Sequence, residues 1–131
     1  KIYRQVLQVK TKANFELHRI ASDRIEFLED GKIAFTYITE EDEQKVGAQN
    51  GDHEGIVEVG RDVEGVEVSI FVRQTDKGCK VSLRSNDYVN VSDICLMFGG
   101  GGHQKAAGAL IQGSIEQVKE KLLYQVKSYL K

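Results

Sequence analysis

Four consecutive glycines, Gly99 to Gly102, stand directly before His103, and Lys105 follows two residues later. Ordering a glycine in regular structure costs about 0.5–1 kcal/mol more than ordering alanine, so a run of four requires a reason. One glycine is enough to end a helix. Four leave backbone that another group can approach closely, and successive glycines can aim several N–H groups at one anion. His103 and Lys105 can donate to phosphate oxygens, and Lys105 adds a charge. Arg84, on a strand face shared with Ser82, can add a bidentate contact. Together these residue types favour recognition of a phosphate. Taken alone, the same residues fit a flexible surface loop carrying a histidine equally well.

Two common phosphate loops are excluded. A P-loop needs Gly-Lys followed by Ser or Thr, whereas Lys105 lies between Gln104 and Ala106. The dinucleotide fingerprint needs a third glycine where Gln104 or Lys105 stands.

The elements that must position these residues follow from periodicity. Apolar residues at Ile2, Val6, Val9, Ala13, Leu17 and Ile20 mark one face of a first helix, with His18 off that face and solvated. Asp30-Gly31 is a hairpin turn between two short strands, the second alternating with Ile33, Phe35 and Tyr37 on one side. Thr39 caps a short helix whose first turn is acidic and which ends near Gly47. Asn50-Gly51 marks a turn, and His53 to Val63 has helical spacing although its apolar residues are β-branched.

Val66, Val68, Ile70 and Val72 predict a strand from Gly65 to Arg73. Asp76-Lys77-Gly78 turns it back into Cys79–Ser85, with Val81 and Leu83 inward and Ser82 and Arg84 on the opposite face. Asn90 caps a helix with Val91, Ile94, Cys95 and Phe98 on one face, and the glycine run ends it. Ala106–Ile111 is a strand of small residues suited to lie close to another backbone. Ser114 and Gln117 form a capping box before a last helix that buries Ile115, Val118, Leu122, Val126 and Tyr129 or Leu130. The expected fold is one mixed α/β domain, a mostly antiparallel sheet of about five strands with helices packed on it.

The chain has 131 residues and a formal net charge of −2, so anion recognition must be local rather than spread over a basic surface. No apolar run is long enough to cross a membrane. Cys79 and Cys95 form no metal-binding spacing and read as reduced thiols of a cytoplasmic protein, with Cys95 in the core. The charged opening at Lys1 argues against a signal peptide, and its lack of an initiator Met fits a trimmed fragment.

Gly99-Gly100-Gly101-Gly102-His103-Gln104-Lys105-Ala106-Ala107-Gly108-Ala109 resembles the signature of the DHH-associated domain, the C-terminal substrate-binding domain of the DHH phosphodiesterase superfamily. Upstream, Val81-Ser82-Leu83-Arg84-Ser85 resembles that family's Ser-x-Arg-Ser strand. Within the superfamily the chain is most similar to the bacterial oligoribonuclease and pAp-phosphatase type, or to the related cyclic-dinucleotide phosphodiesterases. The resemblance implies that Gly100, Gly101, Gly102, His103 and Arg84 bind nucleotide phosphate, with Ser82, Ser85 and Lys105 as further candidates. It also implies a separate N-terminal DHH domain in cis, holding two manganese ions, over which residues 1–131 close. Mononucleotide, short oligonucleotide and cyclic-dinucleotide substrates stay open, as does a homodimer. Two other readings are a non-catalytic RNA-binding module like the C-terminal domain of alanyl-tRNA synthetases, which the charge disfavours, and a plain oligomerisation domain.

No catalytic residue and no metal or other cofactor is assigned to this chain. Asp52-His53-Glu54 follows an Asn-Gly turn and ends in Glu, so it reads as a polar loop that caps the next helix. The adjacent acids Glu40 to Glu43 point in different directions and suit a helix dipole. Lys119, Glu120, Lys121 and Lys127 read as a solvated helix face. Two-metal hydrolysis needs cations about 3.5–4 Å apart, and no residue set here can build that centre. The chain alone is therefore expected to bind substrate without cleaving it.

Overall fold

The computed structural model describes residues 10–131. Six strands form a single sheet: β1 (Glu26–Leu28), β2 (Ile33–Ile38), β3 (Val68–Thr75), β4 (Gly78–Ser85), β5 (Gly101–His103) and β6 (Ala106–Ile111). Their spatial order is β1-β2-β3-β4-β6-β5. β2 and β3 are parallel, and every other pairing is antiparallel. The helices are α1 (Lys12–Arg24), α2 (Glu40–Val46), α3 (Ile56–Arg61), α4 (Val91–Leu96) and α5 (Ile115–Tyr129). The mixed, mostly antiparallel sheet with packed helices matches the expectation, with one strand more.

A parallel pair needs a crossover, and α2 and α3 supply it between β2 and β3. Strands in such a unit are covered on both faces. β2 accordingly buries Ala34, Thr36 and Ile38 as well as Ile33 and Phe35, instead of showing one apolar and one polar side. The Thr36 hydroxyl is satisfied by donating to the Ala21 carbonyl of α1 at 2.6 Å.

One face of the sheet, with Ile33, Val68, Ile70, Val81 and Leu83, packs on α4 and α5 to form the larger core. α5 buries Val118, Leu122 and Val126 there, behind the Ser114–Gln117 capping box. The other face carries a smaller core, in which Leu17 and Ala21 of α1 and Ile56 and Val57 of α3 cover Ile38 and Phe71. No helix among the described residues is long and apolar enough to cross a membrane. Both cysteines are free and buried, and burial pushes the Cys95 thiol up to about 11.

Several local readings change. Of the first helix, expected from Ile2 to Ile20, the described part begins only at Lys12. Thr11 is extended (φ −71°, ψ 158°) and caps α1 by accepting from the Asn14 N–H, so the helix starts at Lys12. Ile2, Val6 and Val9 lie outside the described residues. The lysine-rich face of α5 is not simply solvated: Lys119 donates to Glu26 at 2.7 Å and sits 5.1 Å from the centroid of the Phe35 ring. Glu67 is buried, and its Oε2 accepts from the N–H groups of Asp87, Tyr88 and Val89 at 3.2, 2.9 and 2.9 Å. That carboxylate shapes the loop leading from β4 to the Asn90 cap of α4.

Candidate functional site

The glycine run splits into parts with different duties. Gly99 adopts φ +83° just after α4, and its N–H donates to the Leu96 carbonyl at 3.1 Å, a glycine ending of the helix. The Gly100 N–H is taken by the Cys95 carbonyl at 2.9 Å, which closes the same turn. Gly101 to His103 then form β5, an edge strand paired with β6. A strand here departs from the loop that the glycine run implies, because three glycine-rich residues carry no alternating pattern.

The close approach expected at these glycines comes largely from the protein itself. A Cβ on Gly100 would lie 2.1 Å from the Gly108 carbonyl oxygen, and one on Gly102 would lie 2.6 Å from the Ala107 Cα. Gly102 also has φ +148°. Gly101 differs: its nearest contact would be Leu96 Cδ2 at 3.8 Å, so its exposed side stays open.

Register then brings the predicted residues together. Arg84 pairs with Ala106, and Ala106 pairs with His103. Directly paired residues of antiparallel strands share a face, so Arg84 and His103 lie in one row with the small Ala106 between them. In the next row Ser82 pairs with Gly108, and Gly108 with Gly101. Beside the arginine–histidine row the sheet is therefore a flat floor of small residues. Lys105 is exposed in the two-residue turn between β5 and β6. Ser85 falls elsewhere: it is buried and its hydroxyl donates to the Val89 carbonyl at 2.7 Å, so it secures the turn rather than facing the floor.

Arg84 is held in place. Its Nε donates to Glu58 Oε2 of α3 at 3.0 Å and its Nη1 to the Leu83 carbonyl at 3.1 Å. The Nη2 donors remain free of protein partners among the described residues. His103 is exposed at the edge.

The face beyond α1 and α3 is a bay, two adjoining hollows of about 330 and 360 Å³ that share His53, Phe71 and Ser82. Arg84 lines one, and Arg73 and Lys80 line the other. Sequence reasoning missed His53, Arg73 and Lys80. The signal for Lys80 was present: it alternates with Ser82 and Arg84, so all three share a face.

His53 reaches the bay because α1 clamps its loop. The Asp52 carboxylate accepts from the Gln49 N–H and the Thr11 hydroxyl, each at 2.7 Å, and these bonds hold it below the usual carboxylate range. Asn14 Nδ2 donates to the carbonyls of Asp52 and Glu54 at 2.7 and 3.2 Å. His18 is not simply solvated, since its Nε2 lies 2.8 Å from the Glu54 carbonyl oxygen. The triplet does not cap α3 either: the N-cap is Gly55, with no side-chain bond. Burial first, and the Arg73 cation next, push the His53 imidazole below its ordinary pKa.

Among the described residues, no group of three or more His, Cys, Asp or Glu side chains is placed to hold an ion. In Asp52-His53-Glu54 the buried Asp52 carboxylate is already engaged by the cap of α1.

Fold and bay together define an α/β domain whose chemistry suits a phosphate-bearing ligand. The chain belongs to the DHHA1 domain family, whose model matches residues 30–131. It is 34% identical over 125 residues to the bifunctional oligoribonuclease and PAP phosphatase NrnA of Thermus thermophilus, covering 95% of this chain and 37% of that protein. A shorter stretch of 41 residues is 46% identical to the protein of the same name from Mycoplasma genitalium, covering 31% of this chain and 13% of that protein. Among solved structures, an exopolyphosphatase-related protein from Bacteroides fragilis superposes with a TM-score of 0.90 at 26% identity, covering 98% of this chain and 38% of the other. The pGpG-specific phosphodiesterase PggH from Vibrio cholerae shares the fold at a TM-score of 0.63 and 18% identity, covering 91% of this chain and 40% of the other. The chain thus spans little more than a third of the length of the Thermus thermophilus protein.

Proposed function

We propose that this chain is the substrate-binding domain of a phosphodiesterase acting on short oligonucleotides or pAp-like nucleotides. The observation that carries this reading is the row Arg84–Ala106–His103 beside the floor of Ser82, Gly108 and Gly101. A guanidinium with free Nη2 donors and an imidazole on one face can share a phosphate, as charge-assisted hydrogen bonds. The small floor lets the sugar–phosphate chain lie against the sheet. The net charge of −2 fits a local site for a short ligand better than a broad RNA-binding surface.

In this reading the hydrolytic centre belongs to a preceding DHH domain in cis, where two manganese ions would supply the activation of water and the stabilisation of the leaving oxygen. This chain's share is to grip the substrate phosphate and orient the chain as it closes over that centre. The family membership and the names of the relatives support the reading. Its test is hydrolysis of a short 5′-phosphorylated RNA and of pAp in manganese, by the chain alone and by the full-length protein. The expected result is turnover by the full-length protein only. Metal-dependent turnover by the chain alone at an enzymatic rate would overturn the division of labour.

A further inference from the structure

We infer that Lys80, Arg73 and His53 form a second anion subsite, which takes another phosphate of the same oligonucleotide. The inference rests on the reading that Arg84 and His103 hold one phosphate, and it adds which ligand length the bay is built for.

Lys80 pairs with Arg73 across β3 and β4, and Lys80 lies on the same face as Ser82 and Arg84. His53 joins these two cations in lining one hollow. Arg73 is partly neutralised by Glu43, at 3.4 Å. Lys80 is exposed, and no carboxylate among the described residues lies within ion-pair distance of it. A lysine standing over a concave surface beside an arginine and a half-buried histidine leaves that hollow with an uncompensated positive charge. The burial of His53 and the field of Arg73, with a smaller part from Lys80, outweigh the opposing pull of Glu43 and Glu54 and favour the neutral imidazole, which can donate from one nitrogen without adding to the repulsion between the cations.

Spacing decides the ligand. Arg84 and Lys80 are four residues apart on one strand, which is about 13 Å at the rise of antiparallel β-structure. With Arg84 tied to Glu58 in one hollow and Lys80 lining the other, the two cations suit separate phosphates of a chain of two or three nucleotides. Between them lie Ser82, Gly108 and Gly101, with Gly101 open on its exposed side. Leu110, 43% exposed, pairs with Lys80 and offers an apolar surface beside this path. The bay therefore has charge at both ends, a low middle of small residues and an apolar surface beside Lys80, an arrangement that suits a nucleotide chain.

The test uses the full-length protein in EDTA, so that binding is read without turnover. Affinities for pAp and for a 5′-phosphorylated trinucleotide are measured by calorimetry at several salt concentrations, with melting curves as the folding control. Lys80→Ala is expected to weaken the trinucleotide about tenfold, to lower its salt slope by roughly one counterion, and to leave pAp within about twofold. Lys80→Gln, milder for the strand, should repeat this pattern. Arg84→Ala should weaken both ligands. Unchanged trinucleotide affinity in both Lys80 variants, with Arg84→Ala still weakening both ligands, would overturn the second subsite alone. Equal losses for pAp and trinucleotide would also overturn it, because Lys80 would then belong to the first phosphate. No effect of Arg84→Ala on either ligand would instead remove the underlying reading.

Discussion

Glu58 of α3 holds Arg84 of β4 by its Nε at 3.0 Å, so the arginine that faces the bay is braced by a helix rather than left to solvent. The brace carries a negative charge close to a proposed anion site. Glu58→Gln keeps an acceptor at that position and removes the charge. Both side chains are about a third exposed, at 26% and 35%, so the pair is worth under about 1 kcal/mol of stability. The expected outcome is a small loss in melting temperature and a tighter complex with pAp, by less than about fivefold. A tenfold weakening would mean that the carboxylate charge itself holds Arg84 in its binding conformation.

The glycines give a sharp contrast. Gly101→Ala adds a methyl with no contact nearer than 3.8 Å, so folding should be preserved while the methyl rises into the floor and weakens nucleotide binding. Gly102→Ala places a Cβ 2.6 Å from the Ala107 Cα at φ +148°, and should cost about 1–3 kcal/mol of stability as β5 is forced from β6. Thermal melts and calorimetry on both variants check this. Equal destabilisation by the two would contradict the division of duties within the run.

Asp42 links acid stability to the α1–α2 packing. Burial pushes its carboxyl up, but hydrogen bonds from Arg24 (2.6 and 3.0 Å) and from the Thr39 N–H (2.8 Å) outweigh this and leave it below the ordinary 3.8. The folded state therefore releases the proton more readily than the unfolded chain. The stabilisation is present above pH 3.8 and is lost as pH falls through the lower, folded value. Asp42→Asn should cost about 1.5–3 kcal/mol at neutral pH, with the gap to wild type closing in strong acid. A gap independent of pH down to about pH 2 would show that shape, not charge, is what Asp42 contributes.

Much of this was legible because the signals are local. Thr39, Asn90 and Ser114 cap their helices as their side chains require, and alternation in Cys79–Ser85 separates Arg84 from the core. The unread parts depend on contacts distant in sequence. β5 exists only because β6 returns beside it, and His53 reaches the bay only because Asn14 and Thr11 of the first helix grip its loop. Ser85 misled for the opposite reason. Its motif neighbours face the bay, while strand alternation turns Ser85 itself to the core.

The most direct measurement is a double-mutant cycle on Arg84 and His103 in the full-length protein, reading pAp affinity in EDTA by calorimetry. Two strand spacings, about 10 Å, separate their backbones on one face, within reach of a shared phosphate. Each hydrogen bond to a charged group contributes about 1.5–3 kcal/mol, so Arg84→Ala and His103→Ala should each weaken binding roughly ten- to a hundredfold. The double variant should lose less than the product of the two, with a coupling of at least about 0.5 kcal/mol, because both act on one ligand group. Unchanged affinity in both single variants, or losses that multiply without coupling, would contradict a shared phosphate site.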